Sequence, residues 1–230
     1  MKNTTQTITE QAVVGKRLGR HINFDPRSGD YPVTAFLVPG KTVKSRSWER
    51  PGPFDQGDTG SCTGQAVAGL VMTAPIADTG IDQGTAMQIY ELATKLDPYP
   101  GNYPPDDTGS SVLAAMQAAQ QLGYITSYHW CFSLQDVLQA LSQVGPVAIG
   151  INWYTSFDQP DATGHVTLQP GATVRGGHAL NLTSVDTQAK RVGGWNSWGE
   201  LWGVDGQFTM DWQTLDVLLG ENGEAAVGIK

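Results

Sequence analysis

Apolar residues recur at helical spacing directly after Cys62. Ala66, Val67, Leu70 and Val71 fall on one side of a 3.6-residue period. Pro75 sets the stop, because proline offers no N–H and clashes with the preceding turn. A second helical pattern runs over residues 85–96. It gives way to Asp97-Pro98-Tyr99-Pro100-Gly101-Asn102-Tyr103-Pro104-Pro105, a loop by its proline content. A third helix is expected over 110–122 and ends at Gly123, a residue suited to the left-handed position past a helix end. Ser133 followed by Asp136 predicts a capped start for a fourth helix, which ends near Gly145. Beyond it the period shortens. Residues 146–152 are rich in Val and Ile, and 178–185, 191–195 and 207–212 read as short strands separated by Gly, Asp and Asn.

Helices therefore come first and strands second, which predicts an α+β protein with a helical half and a sheet half. Residues 1 to about 12 are polar and rich in Thr and Gln, the composition of a mobile tail. Residues 13–53 carry many Gly, Pro and basic residues and read as an extended arm, with a short strand expected around 34–38. No internal repeat and no low-complexity block interrupts the chain.

Composition narrows the class. The 230 residues are 40% hydrophobic and 16% charged, which is globular rather than disordered. A formal net charge of −8 disfavours non-specific binding to nucleic acid or to anionic membrane surfaces. It leaves room for substrates carrying a basic group, with plain solubility as the simpler account. Two cysteines, Cys62 and Cys131, are a thin framework for disulfides and fit a reducing compartment better. The opening MKNTTQTITEQ holds no apolar run, so a cytoplasmic location is expected, with association to a virion as the alternative. Asn3-Thr4-Thr5 and Asn181-Leu182-Thr183 match the glycosylation pattern and are read as chance matches in that compartment.

Three segments carry chemistry. In Gln56-Gly57-Asp58-Thr59-Gly60-Ser61-Cys62, glycines flank a cysteine at an expected helix start. Unpaired N–H groups and the partial positive charge there favour thiolate, the nucleophilic form, and can also stabilise an oxyanion. A cysteine before an apolar helix is otherwise a buried core residue. Of the four histidines (His21, His129, His165 and His178), only His178 follows a glycine pair, Gly176-Gly177, at the start of an apolar strand. A thiolate needs a proton partner that works near neutral pH, and imidazole is one. The third segment is Trp195-Asn196-Ser197-Trp198-Gly199 with Leu201-Trp202-Gly203. An amide oxygen can fix the tautomer of a histidine, and a nearby indole can exclude water from that bond. Aromatic core packing is the plain alternative.

The order Cys, His, Asn and the residues around each resemble the papain-like (C1) cysteine peptidases, over roughly residues 40–215. Gln56 to Cys62 is similar to the Gln-Gly-x-x-Gly-Ser-Cys motif of that family. Gly177-His178-Ala179 resembles its histidine strand. Asn196-Ser197-Trp198-Gly199 with Trp202-Gly203 and Asp205-Gly206-Gln207-Phe208 resembles its Asn-Ser-Trp-Gly region, and Asp107-Thr108-Gly109-Ser110-Ser111 resembles its glycine wall. Thr63 replaces the usual aromatic residue and Thr59 a disulfide cysteine, as in the bacterial and viral, disulfide-free branch.

The resemblance implies a two-lobed fold, an N-terminal helical lobe at about 55–144 and an antiparallel sheet lobe at about 145–215, with the cleft between them. It implies Cys62 as nucleophile, His178 as base, Asn196 as its orienting amide and Gln56 as oxyanion donor. Gly109, Ser110, Gly177 and Trp198 would contact substrate, with Trp198 also shielding the His178–Asn196 pair. Residues in 216–227 could help build the pocket beneath the glycine wall. The substrate would be a protein or peptide, with no cofactor and no metal. Residues 1–45 would be an N-terminal extension, within which 13–45 form either a strap across the lobes or a docking arm. Two other functions stay open at this point: a cell-wall amidase or acyl or isopeptide transferase on the same site, and a non-catalytic binding or structural protein of this fold.

Overall fold

The computed structural model describes residues 16–230, so the polar tail expected over 1–12 lies outside it. Five α-helices and ten strands follow one another along the described chain. The first strand, β1 (Arg20–His21), belongs to the N-terminal arm, and β2 (Arg46–Ser47) ends that arm. Then come α1 (Cys62–Met72), α2 (Gln83–Leu96), β3 (Ser110–Ser111), α3 (Val112–Gln121), β4 (Ser127–Trp130) and α4 (Leu134–Gln143). The remainder is β5 (Val147–Tyr154), β6 (His165–Val166), β7 (Val174–Asp186), β8 (Arg191–Trp195), β9 (Gln207–Asp211), α5 (Trp212–Gly220) and β10 (Glu224–Ile229).

Local chemistry explains the helix boundaries. Asp82 caps α2 by accepting from the Thr85 N–H at 2.8 Å, and Ser111 caps α3 by accepting from the Ala114 N–H at 3.1 Å. Ser133 accepts from the Asp136 N–H at 3.1 Å, which is the cap expected for α4. Gly123 takes φ +79° just past α3. The four expected helices are all present, with boundaries shifted by one or two residues.

Eight strands form one sheet in the order β4-β10-β5-β7-β8-β9-β6, with β2 pairing on β7. β5 is buried along nearly its whole length between β10 and β7, which matches its unbroken Val/Ile/Ala run. Two apolar cores flank this sheet. One gathers α1, α2 and α3 through residues such as Val67, Leu70, Ile89 and Met116. The other gathers Trp153, Phe157, Trp198, Trp202 and Phe208 with Val137 and Leu141 of α4 and Leu215 of α5.

Several expectations change. The segment at 34–38 is a 3-10 turn, Val33–Phe36, because Leu37 N–H bonds back to the Thr34 carbonyl at 3.2 Å and no strand pairs with it. α4 packs in the sheet-side core rather than with the helical half. β4 and β10, outside the expected 145–215, belong to the same sheet. The strand expected over 207–212 ends at Asp211, where α5 begins. Its pattern was hard to see because only Leu215 and Leu218 of α5 are buried. Asn181 is 1% exposed in the middle of β7, so its glycosylation pattern is inaccessible. Among the described residues no helix is long and apolar enough to cross a membrane.

Candidate active site

The turn before α1 is closed by Thr59, whose N–H and hydroxyl both donate to the Gln56 carbonyl, at 3.2 and 2.7 Å. Ser61 then takes the cap position and Cys62 opens the helix. The helix is buried almost all round, so it must pack tightly. Gly64 shows how tightly: a Cβ there would lie 2.5 Å from the Ala86 carbonyl oxygen of α2. Cys62 is thereby fixed, 0% exposed, at a helix start whose first N–H groups lack intrahelical partners.

His178 lies on β7, opposite Ile151 of β5. Its Nε2–H donates to Asn196 Oδ1 at 2.8 Å. The same Asn196 oxygen accepts the Ser197 N–H at 2.8 Å, so the amide cannot swing away. Trp153 stands edge-on to the imidazole at 4.9 Å between centroids, and Trp198 lies at 5.0 Å. Trp198 is 1% exposed and packs against the imidazole. His178 Nδ1 is buried with no hydrogen-bond partner among the described residues. The backbone N–H of Ala179, the next residue, faces the Cys62 thiol, which sets the histidine strand against the helix start.

Gln56 ties the halves together. Its N–H donates to the Ser197 carbonyl at 2.8 Å, and Ser197 Oγ donates to Gln56 Oε1 at 2.7 Å. The amide is thus oriented with Nε2 outward, donating to the Thr59 carbonyl at 2.7 Å and the Arg17 carbonyl at 3.0 Å. Gly109 and Ser110 form the facing wall. Tyr90 holds it in place by accepting the Gly109 N–H at 2.9 Å and donating to Asp107 at 2.5 Å.

The arm runs through this space. Gly19 accepts from the Ser110 N–H at 2.8 Å, and β1 pairs in parallel with β3, Arg20 opposite Ser110. Arg17 pairs with Asp107 at 2.6 Å, and Lys16 with Asp55. The Gly19 N–H faces Cys62, and on the other wall a Cβ at Gly177 would come within 2.2 Å of the Arg20 carbonyl. Residues 16–21 thus lie as a strap along the channel, between Ser110 and Gly177.

Burial sets the charge state. It pushes the Cys62 thiol up to about 11, against the pull of the Ala179 and Gly19 N–H groups and the Arg20 charge. It holds the His178 imidazole down at about 4, against the raising effect of Asn196. Neutral thiol and neutral imidazole are the favoured forms in this closed arrangement.

Burial also drives Glu224, near Arg20, up to about 7, and the two shifts act oppositely on stability. His178, depressed from 6.5, contributes stability that is present above 6.5 and lost as pH falls through 4. Glu224, raised from 4.5, contributes stability that is full below 4.5 and lost as pH rises through 7. Each is on the order of 3 kcal/mol at most, so they offset one another between pH 4.5 and 6.5. Chemical denaturation across that window should give nearly level stability for the parent. Glu224→Gln should give stability that falls steadily with acidity. Parallel curves would show that one of the two groups is not held as described.

Cys62, His178, Asn196 and Gln56 therefore meet at one place, with Gly109, Ser110 and Gly177 lining the adjacent channel. Ser197, Trp153, Tyr90 and Asp107 support them; Ser197 and Asp107 were named only as parts of the motifs around Asn196 and Gly109, and Trp153 and Tyr90 were not singled out from sequence. Trp and Tyr are common in any core, and only the fold brings Trp153 and Tyr90 here. Cys131 is a buried free thiol apart from this group, pushed up beyond the usual thiol range by burial.

No protein-family model matches the chain. Among solved structures, the chain is similar to xylellain, a cysteine protease from Xylella fastidiosa, with a TM-score of 0.72 at 17% identity over 94% of this chain and 97% of that one. It is also similar to digestive procathepsin L 3 of the Tenebrio molitor larval midgut, with a TM-score of 0.59 at 15% identity over 99% of this chain and 80% of that one. Among curated proteins it is 25% identical over 193 residues to a cathepsin B-like protein, CP2, of Giardia intestinalis. That match takes in 70% of this chain and 64% of the relative's length.

Proposed function

We infer the function from a fold that this chain shares with papain-like cysteine proteases: it is a cysteine-type peptidase acting on protein or peptide substrates. The observation that carries this reading is the buried His178–Asn196 bond at 2.8 Å beside a cysteine that opens a helix. With the strap displaced, water reaches the pair, and the burial that disfavours both charges is relieved. His178 then takes the Cys62 proton. The Cys62 sulfur attacks the substrate carbonyl carbon, and the oxygen gains the electron pair within reach of Gln56 Nε2 and the helix-start N–H groups. His178 returns the proton to the leaving amine as the C–N bond breaks. Water, deprotonated by His178, then attacks the thioester and releases the acid and the thiol. Asn196 keeps the imidazole in the tautomer and plane that both transfers need. The two free cysteines suit a reducing compartment, and we place the protein in the cytoplasm on that ground.

Intact mass after incubation with an epoxysuccinyl peptide at neutral pH, in reducing buffer, tests this. One adduct is expected on the parent, none on Cys62→Ala, and slow formation on His178→Ala. Labelling at Cys131 in place of Cys62 would sink the reading.

A further inference from the structure

The residues of β7 just ahead of His178 form one wall of the channel, and the strap lies along them in step. Lys16 meets Arg175, Leu18 meets Gly176 and Arg20 meets Gly177. A Cβ at Gly176 would lie 3.0 Å from Leu18 Cδ1. Two of these wall residues are bare backbone, so Arg175 supplies the side chain that a peptide on this wall would meet.

That side chain is held in one orientation. Its Nη1 donates to Asp158 Oδ1, and the same oxygen accepts the Trp153 indole N–H at 2.8 Å. The Trp202 indole N–H donates to the Asp158 carbonyl at 3.0 Å, so Asp158 is itself fixed from two sides. The guanidinium carbon of Arg175 lies 5.8 Å from the centre of the Trp198 ring. With one edge anchored, Nη2 is presented to the channel, where it donates to the Lys16 carbonyl at 3.0 Å. The Arg175 and Asp158 side chains are 29% and 19% exposed, so the pair stands at the channel surface and within reach of a ligand.

The adjacent strap carbonyl, that of Arg17, accepts from Gln56 Nε2 at 3.0 Å. Gln56 precedes Cys62 and Arg175 precedes His178, so the two donors stand on opposite walls. Successive carbonyls of an extended chain point to opposite sides, whichever way the chain runs. Donors so placed take two adjacent carbonyls. When the carbonyl under attack is the one at Gln56, its neighbour lies at Arg175. The strap pairs with the Gly109–Ser110 wall through residues 19–21, while Lys16 lies at the other end beside Asp55, which bridges to Trp198. The acyl part of a substrate belongs on the glycine wall, so the Arg175 end takes the leaving part.

We propose that Arg175 is a substrate-binding residue on the leaving-group side, whose Nη2 holds the carbonyl of the residue that follows the scissile bond. This rests on the peptidase reading above. The favoured substrate is then a peptide that continues past the cut, because a leaving amine without that carbonyl leaves Nη2 unused. An arginine suits the position because its planar fork bonds Asp158 with one nitrogen and a carbonyl with another. The Arg175 charge also lowers the His178 pKa, so replacing it changes the cleavage of every substrate, and a matched pair of substrates isolates the bond.

The bond cut in a denatured protein, by the parent or by a chain whose strap is displaced, is first located by mass. Two peptides of that sequence are then compared. They differ only in the peptide bond that follows the residue after the cut. One keeps the amide, and the other carries an (E)-alkene there, which keeps the shape and removes the acceptor. The amide peptide should be cut roughly tenfold faster in kcat/KM, the low end for a hydrogen bond from a charged donor. In Arg175→Met, which keeps an apolar stem over Trp198, that ratio should fall to about one. A looser strap or a shift at His178 acts on both peptides and cancels in the ratio. A ratio near one in the unsubstituted chain would overturn the assignment without any variant. So would a tenfold ratio that Arg175→Met preserves, since another donor would then hold the carbonyl. Either result leaves the peptidase reading standing. No cleavage of any substrate, with no adduct on Cys62, in the parent and in the chain whose strap is displaced, would overturn both.

Discussion

Replacing His178 with alanine should lower turnover of a denatured protein substrate by roughly 10⁴-fold, the upper end of what a positioned general base contributes. Among the described residues, the imidazole is the titratable group bonded to Asn196, and two tryptophans pack against it. The loss should be pH-dependent in a telling way. Without imidazole, thiolate forms only as pH approaches the thiol's own range, which burial sets near 11 in the closed chain. Residual activity of His178→Ala should therefore climb through pH 8 to 10 while the parent's levels off. Asn196→Ala should lose less, roughly 10²-fold, because it frees the imidazole plane without removing the base. A purely structural role for His178 would leave both variants equally impaired at every pH, with melting temperatures lowered in proportion.

Much of this site was legible because its residues come in local clusters. The glycines before Cys62, the pair before His178 and the run from Trp195 to Gly199 each announce unusual backbone or aromatic demands within a few residues. The four main helices were legible for the same reason: their caps and apolar periods are local. What stayed hidden depends on distance along the chain. Arg20 and Glu224 are 204 residues apart, and neither is remarkable in its own neighbourhood. β4 reads as polar Ser-Tyr-His-Trp and becomes a strand only because β10 pairs with it. The 3-10 turn at Val33–Phe36 has the apolar content of a strand but no edge to join.

The strap itself yields the second large effect, through a residue with no side chain. A Cβ on Gly19 would stand 1.9 Å from the Gly60 carbonyl oxygen and 2.6 Å from Gly60 Cα, both backbone atoms on the turn that leads into Cys62. The opposite wall is as tight: a Cβ at Gly109 would meet the Gly19 carbonyl oxygen at 2.3 Å. Neither side can retreat, because Gly60 N–H is bonded to Asp107 at 3.0 Å and Gly109 N–H to Tyr90 at 2.9 Å. Gly19→Ala should therefore expel the strap rather than be absorbed by the domain. The Gly19–Ser110 bond, the Arg17 contact on Gln56 and the Arg20–Glu224 pair would go together, since they lie on one short segment. Opening the channel lets water relieve the burial that holds Cys62 and His178 neutral, so alkylation of Cys62 by iodoacetamide should speed up. A tenfold gain corresponds to about 1.4 kcal/mol, a fraction of the shift that burial imposes. The melting temperature should fall by a few degrees as the strap's contacts are lost. Gly29→Ala, in the same arm with open space where its Cβ would go, should change neither quantity. If Gly19→Ala labels no faster than the parent, the strap does not govern access to the thiol, and the neutral pair beneath it must have another cause.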